Sequence, residues 1–177
     1  MSVQTNSIPE EAVKAAIARS GEASANSDGV IEFISFSIGD DQYGVAIMSV
    51  REIKGWSGVT HLPKQPDYVR GVLNLRGVMV PIIDLRCRFG QGMTDASSMH
   101  VVIIVQIGER LVGLLADRVL DIVSFEGSKI QKVPTIGSAE QADFLSGLIT
   151  VDDAMIALID LEHLLSSGAG AAMAVAA

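Results

Sequence analysis

The chain contains itself twice, and this repeat restricts its fold more than any other feature. Ile38-Gly39-Asp40, Gly44 and Val50-Arg51-Glu52-Ile53 recur as Ile107-Gly108-Glu109, Gly113 and Val119-Leu120-Asp121-Ile122, at a constant offset of 69 residues. Gly71, Met79 and Ile83-Asp84-Leu85 recur as Gly147, Met155 and Ile159-Asp160-Leu161, at an offset of 76. Pro63 and Pro134 stand between at an offset of 71, so one gap of five residues reconciles the last two registers. A repeat of this length implies two similar small units, each with its own core. It also separates positions kept in both units, which are scaffold, from those present in only one.

The texture of each unit is β. IEFISFSI (31–38) alternates apolar and polar residues, GDDQYG follows as a hairpin signal, and YGVAI returns as a strand. Unit two repeats this as VVIIVQI, GERLVG and LVGLLA. MSVREIKGW and DRVLDIVSF come next, each opening on a stretch with the apolar spacing of one helical turn. The last strand pairs are VRGVLNLRG with VMVPIIDL, and FLSGLITVD with AMIALIDL. Many short strands at regular spacing predict an all-β fold of small barrels. Asp84 and Asp160 each end a strand just before a helical-looking segment, so both read as helix N-caps. Asp152-Asp153 reads as a hairpin turn equivalent to Arg76-Gly77. Outside the repeat, residues 1–28 read as a leader, with capping-box spacing at Ser7-Ile8-Pro9-Glu10 before a helix-forming stretch. Residues 167–177 read as a small-residue tail, which leaves 29–166 as the folded unit.

Composition closes off several functions. The net charge is −8 and the thirteen Lys and Arg form no stripe, which argues against nucleic acid. The single cysteine, Cys87, excludes an internal disulfide and a cysteine-based zinc site. The longest apolar runs, VVIIV and VMVPII, are of strand length, well short of the roughly 20 residues that span a bilayer. The polar, acidic N-terminus lacks an apolar signal core. The expectation is a soluble cytoplasmic protein that meets a membrane only through a partner.

Catalytic chemistry is hard to find. His61, His100 and His163 are far apart, in no metal-ligand spacing, and neither a phosphate loop nor a nucleophile elbow is present. No metal or cofactor is expected. The strongest enzyme reading pairs Asp84 with Asp160 as the dyad of a duplicated β hydrolase. Yet each precedes a leucine and a charged residue rather than a small hydroxyl and a glycine, and capping explains both. Asn74-Leu75-Arg76-Gly77, in contrast, occurs in unit one alone. Arg76 offers five donors and a planar face to partner carboxylates, or else is a solvated turn residue. Trp56, the lone tryptophan, reads equally well as core or as interface.

The segments GDDQYGVAIMSVREIKGW, VTHLPKQPDYVRGVLNLRGVMVPIIDLRCRFG, VVIIVQIGERLVGLLADRVLDIVS and FLSGLITVDDAMIALIDLEHLL together resemble the CheW family of bacterial chemotaxis coupling proteins. The likeness runs in order from about residue 30 to 166. It implies two SH3-like five-stranded barrels around a shared core, with short helices and a C-terminal helix, and leaves open whether strands cross between the barrels. It implies an adaptor without catalysis that binds the cytoplasmic tip of chemoreceptors and the regulatory domain of the histidine kinase CheA, alternating with that domain in rings, and leaves open whether further copies of itself also join them. Carried over, the receptor site involves Val50, Glu52, Ile53, Gly71, Arg76, Val101 and Val102, with Glu52 and Arg76 paired and Val72 and Val78 nearby. The kinase would use barrel-end surfaces, without assignable residues. An adaptor of the same fold serving pili or another output is the nearest alternative.

Overall fold

The computed structural model describes residues 29–134 and 144–166. The expected leader (1–28) and tail (167–177) lie outside these. Ten strands are present among the described residues: β1 (Val30–Ile38), β2 (Asp41–Ala46), β3 (Val50–Gly55), β4 (Val69–Leu75), β5 (Val78–Asp84), β6 (Val101–Ile107), β7 (Arg110–Ala116), β8 (Arg118–Glu126), β9 (Leu145–Val151) and β10 (Ala154–Ile159). Two short helices, α1 (Leu85–Arg88) and α2 (Leu161–Ser166), each follow the last strand of a repeat.

The repeats are not the barrels. One five-stranded sheet runs β8-β1-β2-β10-β9, here barrel I, and the other runs β3-β6-β7-β5-β4, here barrel II. Repeat one supplies β1 and β2 to barrel I but β3, β4 and β5 to barrel II, and repeat two does the reverse. The expectation that each unit holds its own core therefore fails. The parallel contact that joins the halves shows why. Leu158 of β10 stands opposite Gly44 of β2, and Ile82 of β5 opposite Gly113 of β7. A Cβ on Gly113 would run into Ile82 Cδ1 and come within 2.8 Å of Val102 Cγ1, and one on Gly44 would lie 3.0 Å from Leu158 Cδ2. The repeated glycine is thus what lets the other repeat's last strand close in.

Each sheet closes on itself through the chain leaving its edge strand. Thr60, beyond β3, exchanges backbone hydrogen bonds with Val72 of β4 at 2.9 and 2.8 Å, and Gln131, beyond β8, does so with Leu148 of β9 at 2.8 Å each way. Both repeats carry the same irregularities. One extra residue, Arg51 in β3 and Leu120 in β8, interrupts pairing with the neighbouring strand, and another, Arg70 and Ser146, interrupts the last hairpin. The hairpins β1–β2 and β6–β7 turn on Gly39-Asp40 and Gly108-Glu109, where each glycine has φ near +60° as a tight two-residue turn requires. The helical turn expected before β3 is a single 3-10 turn, Ile47–Ser49. Its expected counterpart is absent. Asp117 N–H donates directly to Ser37 O (3.0 Å) and β8 begins at once.

Alternation distributes side chains over three cores. Ile103 and Val105 face a shared core between the barrels, along with Ile34, Phe36, Val45, Val50, Ile53 and Leu114. Val102 and Ile104, one residue out of phase, fill barrel II with Val80, Ile82 and Leu115. Phe33, Ile149, Ile156 and Leu158 fill barrel I. Hence VVIIV is apolar throughout, because both faces of β6 are buried.

Candidate functional site

The bulge at Arg51 decides what β3 presents. In a regular strand Val50, Glu52 and Lys54 would share one face. The extra residue shifts the phase, so Val50 and Ile53 both enter the shared core while Glu52 and Lys54 stand on the other side, opposite Ile104 and Val102. There Glu52 meets two cations. Lys54 Nζ lies 3.6 Å from its Oε1, and Arg76 Nη2 lies 3.4 Å from its Oε2.

Arg76 comes from the β4–β5 turn, where Arg76 (φ +52°) and Gly77 (φ +89°) are both left-handed. Asp152 (+48°) and Asp153 (+66°) form the matching turn of barrel I, as their sequence register predicts. The Arg76 side chain is 81% exposed. Just beyond, Val78 and Met79 are about half exposed, at 50% and 52%. Val78 continues the row of Val80 and Ile82 out of the barrel, and Met79 points to the opposite face. The result is a carboxylate between two cations, beside uncovered apolar surface on the same barrel. Such an arrangement suits an amphipathic helix bearing an acidic residue.

Of the seven residues expected at a partner site, Glu52 and Arg76 meet as expected and reach solvent. Val101 is half-buried at the rim of the shared core. Val50, Ile53 and Val102 are 1%, 4% and 2% exposed, so they shape the strands beneath the site and offer no surface of their own. Gly71 is buried with φ +144°, and a Cβ there would strike the Thr60 carbonyl. It lets β4 close against the chain leaving β3. Lys54 was missed. Lys54 had a signal, since it follows Glu52 by two residues in a strand.

Trp56 is half-buried against the core of barrel II, with the Arg70 guanidinium 5.8 Å from its ring centre. Together they border an open groove of about 470 Å³ that includes Val59, Pro66 and Met93.

The two aspartates act as caps. Asp84 is fully buried. Its Oδ1 accepts from Cys87 N–H (3.3 Å) and Thr94 Oγ1 (2.7 Å), its Oδ2 accepts from Thr94 N–H (2.8 Å), and Arg70 lies 3.7 Å away. Asp160 Oδ1 accepts from His163 N–H (3.1 Å), and its Oδ2 pairs with His163 Nδ1 at 2.8 Å. Burial alone would raise the Asp160 pKa, but hydrogen bonds from His163 outweigh it and hold the carboxyl below its ordinary value. Each carboxylate serves its own helix start, on different barrels.

Comparison with known proteins adds the family. Residues 32–169 match the model of the CheW-like domain. The chain belongs to the CheW-like domain family. It is 45% identical over 140 residues to a probable chemotaxis protein CheW of Rhizobium etli, covering 79% of this chain and 90% of that one. It is 40% identical over 136 residues to the chemotaxis protein CheW of Klebsiella aerogenes, covering 77% and 82%. A crystal structure of the scaffolding protein TtCheW from Thermoanaerobacter tengcongensis superposes with a TM-score of 0.72 at 30% identity, over 80% of this chain and 92% of that one. The two SH3-like barrels are thus a CheW architecture, and the Glu52–Arg76 pair lies on barrel II of a CheW-like scaffold.

Proposed function

We propose that this chain is a non-catalytic scaffold that couples chemoreceptors to a CheA-type histidine kinase, working in the cytoplasm and recruited to receptor arrays. One observation carries the reading. In a chain of the CheW-like family, an ion pair and the uncovered Val78 lie on one side of barrel II, while the aspartates that could have served catalysis are occupied as caps. The receptor tip is a helical partner. Val78 takes its apolar ridge, and Arg76, held near Glu52, meets a carboxylate at its edge. Lys54 and Arg76 outnumber Glu52, so the patch favours an acidic partner over a basic one. Among the described residues no helix is long and apolar enough to cross a membrane.

A coupling protein needs contacts that are modest singly and many in number, because avidity across an array supplies the holding strength. It also needs unequal affinity for the array's signalling states, since equal affinity transmits nothing. The kinase regulatory domain would meet other barrel surfaces, and further copies of this chain would join in rings.

The test is binding of a soluble cytoplasmic fragment of a chemoreceptor from the same bacterium to the native chain and to Arg76→Ala and Glu52→Ala. Binding weakens by about tenfold or more for Arg76→Ala, as for loss of a charged interface anchor. Unfolding midpoints change little, because exposed ion pairs are worth about 0 to 1 kcal/mol. Native-like binding by both variants would refute the assignment.

A further inference from the structure

The geometry points to Asn74 as the positioning residue for Arg76, an inference that rests on the partner site proposed above. Arg76 is exposed, and its contact with Glu52 is long at 3.4 Å, so its own side-chain contacts fix it weakly. Where its guanidinium goes is governed by the direction in which its Cα–Cβ bond leaves the backbone. That backbone is left-handed (φ +52°), a region that side chains other than glycine, asparagine and aspartate seldom adopt unless held.

Three features hold it. Leu75 and Val78 pair across the hairpin and leave a two-residue loop. Gly77 takes the second left-handed position. Asn74 Oδ1 accepts the Gly77 N–H at 2.8 Å. In such a loop the strand pairing has no use for that N–H, so the side chain of Asn74 ties down a peptide group the hairpin leaves free.

The other repeat supplies an internal control. Thr150 stands where Asn74 does, 76 residues on, and Asp152-Asp153 form the same left-handed turn. Among the described residues no corresponding hydrogen bond is present there. The fold therefore makes this turn without the asparagine. The added bond occurs in the repeat whose turn carries the arginine, which places its purpose with Arg76 rather than with the hairpin. Asn74 touches no partner itself. It preorganises the anchor, lowering the cost of ordering the anchor when the partner binds.

The experiment compares the native chain with Asn74→Ala, Asn74→Thr, Asn74→Asp and Arg76→Ala in two readouts. One is exchange protection of the Gly77 amide, and the other is affinity for the soluble receptor fragment. Asn74→Ala and Asn74→Thr lose Gly77 protection, and each weakens binding by about three- to tenfold, the loss expected from one uncompensated hydrogen bond. Asn74→Asp keeps an acceptor oxygen in place, retains the protection and binds nearer the native value than the alanine form. Native-like binding by Asn74→Ala or Asn74→Thr despite lost protection would overturn the inference. If Arg76→Ala itself bound like the native chain, the partner site would fall instead, and the two failures are thereby distinguished. Should Asn74→Ala not fold, the Thr and Asp variants decide between the same outcomes.

Discussion

Asp84 and Asp160 show how one residue in one register can come to weigh differently. Asp84 is sealed in, with two N–H groups, a hydroxyl and Arg70 directed at it. Asp84→Ala strands those groups, and the loss is about 3 kcal/mol in a urea titration. Asp160→Ala removes a half-exposed cap and loses about 1 kcal/mol. Equal losses would mean that burial does not separate the two sites. Asp160 also carries a pH signature. Its folded pKa is depressed, so its charge contributes stability above the unfolded value of 3.8, and that contribution disappears as pH falls through the lower folded value. Asp160→Asn keeps an acceptor without titrating. The native advantage over this variant should shrink as pH falls through 3.8 and below. A constant difference would contradict the sign of the shift.

At the scale of elements, the repeated glycines mark where strands meet most closely. Gly113→Ala forces a methyl into Ile82 and Val102, and Gly44→Ala only presses on Leu158 and Ile156. Calorimetry should find Gly113→Ala destabilising by about 1 to 3 kcal/mol and Gly44→Ala by less. The reverse order would mean that barrel I is the tighter closure. These strands, the hairpin turns and both caps could be read from alternation, turn residues and the repeat itself. The bulges could not. Arg51 and Leu120 resemble ordinary strand residues, and only pairing with β6 and β1 shows them to be extra. Without the bulge, Val50 and Ile53 could not be assigned to the same buried face. A partner site drawn from sequence therefore mixed surface residues (Glu52, Arg76) with supporting ones.

For the whole molecule, sequence offsets showed two units but not their exchange of strands. Chain order records which residues are similar, whereas barrel membership depends on long-range parallel contacts between β2 and β10 and between β5 and β7. Because each barrel draws strands from both repeats, a fragment covering residues 29–95 should not fold alone. Circular dichroism should show it unfolded, and mixing it with residues 96–166 should restore β structure. A folded 29–95 fragment would contradict the exchange. The same interleaving makes the shared core one unit with both barrels, a rigid base for a small surface site.

The most direct test of the central claim is phosphate transfer from ATP by a CheA-type kinase in chemoreceptor-bearing membranes, measured without this chain, with it, and with its Arg76→Ala form. Strong activation by the native chain, suppressed by attractant and much reduced for Arg76→Ala, is the predicted result. A folded native chain that leaves the kinase at its basal rate, or an Arg76→Ala form that activates as fully as the native chain, would contradict it.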